Sequence, residues 1–278
     1  MFDPKLLSPI ALAIVAFITA PGCEPQQIQP LAPIDGEVVS RISLTESLAI
    51  EYASVTGVTL DPQTGARYVL DANSGIYELD AEGAASLVLA IQDFPTPDEP
   101  PRSGWMDIAA MGDGVFALIA IGDGYKLDIG ANTLEQWFCY VPDWMDPEQF
   151  DQSSQNLGYD PVSDEIISAP LTLDSQSGDQ VTRADVATFD GAGAGDLQWY
   201  PLDVNFDFGG LALRGQDQVL LGAGDQLYGY QMGESSLVEM GSLAEHGIDM
   251  VMGMVIDPET GFLHVVDGAD GELVVLRI

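Results

Sequence analysis

The chain repeats itself, and that repeat limits its possible folds more than any other feature. Residues 57–71, Gly-Val-Thr-Leu-Asp-Pro-Gln-Thr-Gly-Ala-Arg-Tyr-Val-Leu-Asp, align without a gap to residues 253–267, Gly-Met-Val-Ile-Asp-Pro-Glu-Thr-Gly-Phe-Leu-His-Val-Val-Asp. Gly75 and Gly271 stay in register beyond them. Each unit reads as an apolar strand, a turn on Asp-Pro-x-Thr-Gly, a second apolar strand ending in Asp, a small-residue turn and a third, alternating strand. Proline presets φ at one corner of the first turn and glycine accepts a positive φ at the other, so the turn chemistry agrees with the strands on either side.

Three looser copies lie between. Residues 106–125 keep the Gly112-Asp113-Gly114 turn, residues 156–169 keep Asp160-Pro161, and residues 208–230 keep Gly210 and Gly215. The units begin near residues 57, 107, 156, 210 and 253, an average pitch of about 49, which is the length of a four-stranded propeller blade. The expectation is an all-β protein, a β-propeller of five four-stranded blades; a sixth would have to hide between residues 130 and 205. The last unit runs out at its third strand, 272–278, while residues 37–44, Glu-Val-Val-Ser-Arg-Ile-Ser-Leu, form an unassigned strand ahead of the first unit. Pairing the two closes the ring and hides both sheet edges. A two-sheet sandwich is the alternative, because short, evenly spaced strands suit it as well. No segment after residue 22 carries a sustained helical period with caps.

Over 57–80 and 253–276 the blades resemble those of bacterial propellers with NHL-like or SdiA-regulated-like repeats, which read Gly-hydrophobic-x-hydrophobic-Asp-Pro-x-Thr-Gly-x-hydrophobic-x-Val-x-Asp. The resemblance implies an architecture and no chemistry.

Ahead of the repeats stand Lys5, an apolar run over residues 6–20, and Ala20-Pro21-Gly22-Cys23. The run is too short to span a bilayer comfortably and has the form of a secretory signal. The residues leading to Cys23 resemble the lipobox of bacterial lipoproteins, with departures at Ala20, where Leu is usual, at Pro21, and at the acidic Asp3. That resemblance implies removal of 1–22 and acylation of Cys23, including a palmitate-type chain. Each buried methylene contributes about 0.8 kcal/mol, so two or three chains make a durable anchor. Residues 23–35, rich in proline and glutamine, then read as a tether, and 36–278 as the propeller. Glu24 stands where, by resemblance to a known sorting rule, Asp would favour inner-membrane retention, so the expected address is the cell envelope and the outer membrane.

Charge narrows the partners. The chain carries 44 acidic against 8 basic residues, a net charge of −36, and losing the leader removes one of each, Asp3 and Lys5. Such a surface repels nucleic acid and anionic lipid headgroups, which need Lys and Arg to neutralise phosphate. It leaves calcium, a cationic or polar small ligand, an envelope protein, or a saline medium as explanations, with the protein acting as a monomer.

Three stretches, 93–106, 141–155 and 200–209, mix aromatic residues with carboxylates on expected loops. Trp105, Asp107, Trp144, Asp146, Phe206 and Asp207 are therefore candidate ligand-binding residues, although the same rings would also serve as plugs over blade junctions. Asp71 and Asn73 in Asp-Ala-Asn-Ser-Gly, and Asp267 and Asp270 in Asp-Gly-Ala-Asp-Gly, are candidate calcium ligands. Neither loop has the later Glu of an EF-hand, and such sequences also close plain hairpins. Only His246 and His264 are present, with no Gly-x-Ser-x-Gly elbow, so nucleophilic catalysis and zinc have little support. Cys139, among aromatics, reads as a small buried hydrophobe, and with Cys23 far from it in sequence no disulfide framework is implied. The sequence thus points to a lipid-anchored, non-catalytic binding or scaffold module. The alternative is a calcium-dependent hydrolase of a lactone, ester or phosphate, similar to gluconolactonase-like or phytase-like propellers, with Asp107 and Asp207 as ligands.

Overall fold

The computed structural model describes residues 34, 36–49, 54–97, 104–120, 123–139, 150–153, 156–174, 181–190, 198–215 and 217–278. They form five antiparallel blades arranged as a five-bladed β-propeller, with helix limited to single turns such as Leu44–Ser47. The chain enters through β1 (Glu37–Ser43). The first blade follows as β2 (Val55–Leu60), β3 (Arg67–Asp71), β4 (Gly75–Leu79) and β5 (Ala85–Ala90). The second is β6 (Trp105–Gly112), β7 (Val115–Ala120), β8 (Asp123–Asp128) and β9 (Thr133–Cys139).

The third blade is built from β10 (Phe150–Ser153), β11 (Gly158–Asp160), β12 (Glu165–Ser168), β13 (Leu171–Asp174), β14 (Val181–Asp190) and β15 (Gln198–Pro201). Its four-stranded body runs β11-β12-β14-β15, and β10 and β13 prolong the sheet along the first half of β14. Pro170, between β12 and β13, cannot donate to a ladder and marks the step between the two parts. The fourth blade is β16 (Gly210–Leu213), β17 (Gln218–Ala223), β18 (Gln226–Gln231) and β19 (Leu237–Ser242). The last consists of β20 (Val251–Ile256), β21 (Phe262–Asp267) and β22 (Glu272–Arg277), with β1 as its outermost strand.

The repeated turn explains why these strands reverse where they do. Asp61 Oδ1 accepts from the amides of Gln63 (2.9 Å) and Thr64 (2.8 Å), and the Gly65 amide returns to the Asp61 carbonyl. Asp257 accepts from the Glu259 amide on Oδ1 and the Thr260 hydroxyl on Oδ2, and Asp160 does the same with the Val162 amide and the Ser163 hydroxyl. Gly65 and Gly261 take φ of 71° and 72° at the closing corner. Asp164 occupies the same corner at 56°, a conformation that a short polar side chain tolerates better than most.

The closure follows the expectation. β1 pairs antiparallel with β22 from Glu37↔Arg277 to Ser43↔Glu272, with a bulge between Val38 and Ser40. The bulge turns Val39 outward and lets Val38 and Ile42 both pack against core clusters. Arg41 ties the strand down through Glu272 (2.6 Å) and the carbonyls of His246 and Gly247. Leu44, which begins the helical turn that follows, is fully buried, a contribution of about 1.5–3 kcal/mol. Just ahead of β1, the Ile34 amide donates to Met240 of the fourth blade at 2.8 Å.

The core is divided among the seams. Five apolar clusters each draw on two neighbouring blades: Leu70 and Ile76 with Trp105 and Ile108, Ala109 and Ile119 with Ile166 and Phe189, and Val186 with Leu211 and Phe208. Leu220 and Met240 join Val251 and Val274, while Val58 and Val69 join Val266 and Leu273.

Candidate functional site

The inner strands meet at the ring axis, and the sequence units mark where. Gly57, Asp107, Asn156, Gly210 and Gly253 hold one register position: Gly57 pairs with Leu70, Asp107 with Ile119 and Gly253 with Val266, each just past a bulge. Asn156 and Gly253, like Gly57, stand four residues before the turn aspartate, and Gly210 stands four before Arg214. A Cβ on Gly57 would overlap Asp107 Oδ1, one on Gly253 would come 2.8 Å from Gly57 Cα, and one on Gly210 would come 2.7 Å from Val251 Cγ1. Glycine is required here by the close approach of the neighbouring blade, through its backbone at Gly253 and through side chains at Gly57 and Gly210, not by φ.

The two polar members tie blades together. Asp107 Oδ1 accepts from Ile108 N at 2.8 Å and Oδ2 from Leu157 N of the third blade at 2.7 Å. Asn156 Nδ2 donates to the Phe208 carbonyl ahead of the fourth blade at 2.8 Å, while its Oδ1 accepts from Ala169 N. Thr59 Oγ1 accepts from Ala110 N at 2.9 Å, joining first and second blades. Asp107 is 1% exposed; burial pushes its carboxyl well above the usual range, against the two amides that pull it down. With one amide on each oxygen, the group braces the seam between the second and third blades.

The other candidates divide between plugs and surface. Trp105, 6% exposed, lies edge-on to Tyr125 (5.2 Å between centroids) and beside Phe94 (5.7 Å). Phe206 is half-buried against Phe208 and Tyr228, each at 5.3 Å. Asp207 is exposed, whereas Asp107 is sealed. Trp144, Asp146 and Cys23 lie outside the described residues, as does the side chain of Cys139.

Asp71 and Asp267 are both fully buried at the ends of β3 and β21. Asp71 Oδ1 accepts from Asn73 N, Ser74 N and Ser74 Oγ, and Oδ2 from Ser54 N at 2.6 Å, so the carboxylate holds two loops together. Asn73 is exposed and donates to Ser54 Oγ. Asp267 Oδ1 accepts from Met250 N and Ala269 N, both at 3.1 Å, but its Oδ2 has no hydrogen-bond partner, and Asp270 is exposed. Among the described residues, no group of three or more His, Cys, Asp or Glu could hold a metal ion.

Reading the sequence did not single out Asn156, Arg67, or the pair Arg183–Asp185 as site residues. Asp185 is fully buried beside Arg183; burial raises its pKa while the guanidinium opposes the rise. For Asn156 the signal was available: it and Asp107 are polar where the other three units carry glycine.

No family model and no curated protein matches the chain. Among solved structures, a luciferin-regenerating enzyme aligns at 14% identity and a TM-score of 0.49, over 77% of this chain and 69% of its own. The extracellular domain of a putative hybrid two-component system from B. thetaiotaomicron aligns at 14% identity and 0.47, over 80% of this chain and 27% of its own. The β-propeller domain of Swd1 from Myceliophteria thermophila aligns at 11% and 0.41, over 81% and 83%.

Proposed function

We propose that the chain is a lipid-anchored, extracytoplasmic β-propeller that acts as a non-catalytic binding or scaffold module at the cell envelope, at the outer membrane in preference to the inner. The observation that carries this reading is the closure: the strand directly after the 23–35 segment is the outermost strand of the last blade. A lipid on Cys23 would thus tether the chain ahead of the strand that completes the last blade. Among the described residues no helix is long and apolar enough to cross a membrane. The non-catalytic reading is supported by Asp107, whose oxygens are both committed to backbone amides, and by Trp105, which packs as a plug. The net charge of −36 favours a cationic or polar ligand, or a basic surface on an envelope protein, over any anionic polymer.

Two measurements test the proposal. Expression of the full chain with radiolabelled palmitate should label the wild type and leave Cys23→Ala unlabelled and released from membranes by a salt wash; retention of the variant defeats the anchor. A melt with and without calcium, beside a lactone, ester and phosphate hydrolysis panel, should show neither a shift nor turnover. Calcium-dependent turnover would replace the binding module with the hydrolase.

A further inference from the structure

The seam between the first and last blades contains two buried nitrogens with nothing to bond. Arg67 on β3 and His264 on β21 approach it from opposite sides. Arg67 alternates with Val69 and His264 with Val266, and both valines belong to the apolar cluster that joins these blades. Arg67 pairs with Leu60 and His264 with Val255, so the two lie near one level in the ring. His264 is 4% exposed and its Nδ1 has no partner; Arg67 is half-buried and its Nε has none either. Buried polar atoms left unbonded are uncommon and call for an explanation, and here two of them, both donors or potential donors, belong to facing blades.

The acid that could have filled this role is engaged elsewhere. Asp257 is the charged group beside both, yet its Oδ1 accepts from Glu259 N and its Oδ2 from Thr260 Oγ1, at 2.9 and 2.6 Å, to hold its own turn. Arg41, Arg183 and Arg277 each meet a carboxylate within salt-bridge distance, whereas Arg67, among the described residues, meets none. Arg214 likewise meets none, but it stands in the fourth blade, whereas Arg67 lies within electrostatic reach of a buried imidazole.

We propose that Arg67 and His264 form a seat for one small carboxylate at the seam that closes the ring. The planar guanidinium offers N–H donors suited to a carboxylate, and the imidazole supplies a second donor from the facing blade. The ligand spans both blades, so binding reinforces closure. Empty, the seat keeps His264 neutral, because burial and the neighbouring Arg67 charge hold its pKa at about 4. Occupied, an anion reverses that effect, so binding and protonation favour each other and affinity rises as pH falls.

The test uses the full chain in detergent with His246→Gln, which leaves one imidazole to follow by NMR. Sodium acetate added to a low-salt buffer should shift the His264 resonances saturably and raise the imidazole pKa by at least one unit. Sodium chloride at equal ionic strength should produce less than a third of the effect. Arg67→Met should abolish the acetate response, and Arg67→Lys, which keeps the charge without the Nε donor, should weaken it at least threefold and guards against a folding defect. Equal responses to both salts, a response that survives Arg67→Met, or no response at all would overturn the seat.

Discussion

The first and last repeat units and the third blade do the same job with different means. In the first and last blades an Asp-Pro-x-Thr-Gly turn, a glycine at the axis and an aspartate at the end of the second strand set nearly identical geometry. The third blade keeps the turn aspartate, puts Asp164 where the others have glycine, replaces the axial glycine with Asn156, and prolongs its sheet through β10 and β13. Blade geometry is therefore set by turns and by side-chain volume at the axis, while strand length and polarity are free to vary. Even the two similar units part company in detail, since Asp71 is saturated with donors and Asp267 is not.

The largest effect should come from the strand that no internal repeat supplies. Deleting residues 37–44 removes the β22 pairing and the buried Leu44 and exposes an apolar edge, so the melting temperature should fall by more than about 10 °C with aggregation. Deleting 24–32 should change it by no more than a degree or two. Equal melting of both truncations would remove the closed ring from consideration.

Next come the axial glycines. Gly253→Ala forces a Cβ to 2.8 Å from Gly57 Cα, where only backbone can move, and should cost about 2–4 kcal/mol in denaturant unfolding. Gly65→Ala has open space and meets only the φ penalty, about 1–2 kcal/mol. If the surface turn proved the costlier of the two, packing at the axis would not be what sets the blades.

The pH dependence separates the last blade from the first, where Tyr68 occupies the position of His264. The folded pKa of His264, about 4, lies below its free value of 6.5, so its contribution is intact above pH 6.5 and is lost as pH falls from 6.5 towards 4. In carboxylate-free buffer that loss approaches about 3 kcal/mol at most. Unfolding of His264→Gln should show a correspondingly shallower slope across this window, and an unchanged slope would place the titration elsewhere.

The smallest contrast lies within the repeated loop. Asp71→Asn keeps one of two oxygens that together serve four donors, leaves Ser54 N facing an amide NH2 and should cost about 1–3 kcal/mol, whereas Asp267→Asn keeps the one bonded oxygen and should stay within about 1 kcal/mol of wild type. Chemical denaturation of the two variants side by side measures the difference.

Blade number, unit boundaries and closing strand were legible in the sequence because each depends on local chemistry: a proline and glycine at fixed offsets, alternation on either side, and a leftover strand. The unit starts at 57, 107, 156, 210 and 253 coincide with the axial positions because close contact at the axis selects against a side chain at three of the five. Site residues were less legible. Trp105 and Phe206 looked equally suited to a ligand and to a seam, since an aromatic ring near a carboxylate has the same sequence whether the ring faces solvent or its neighbours.

Local periodicity and turn residues thus pointed, from sequence alone, to five blades and to the pairing of the chain's ends, and the structure removed the sixth blade and the sandwich as alternatives. The tertiary structure decided what the buried charges do. Asp107 became a brace because Leu157 of the next blade presents an amide to it, and the Arg67 charge reaches His264 because two blades nearly two hundred residues apart in sequence share a seam. Such pairings depend on how the blades are wrapped around the axis, and no spacing within a single unit encodes them.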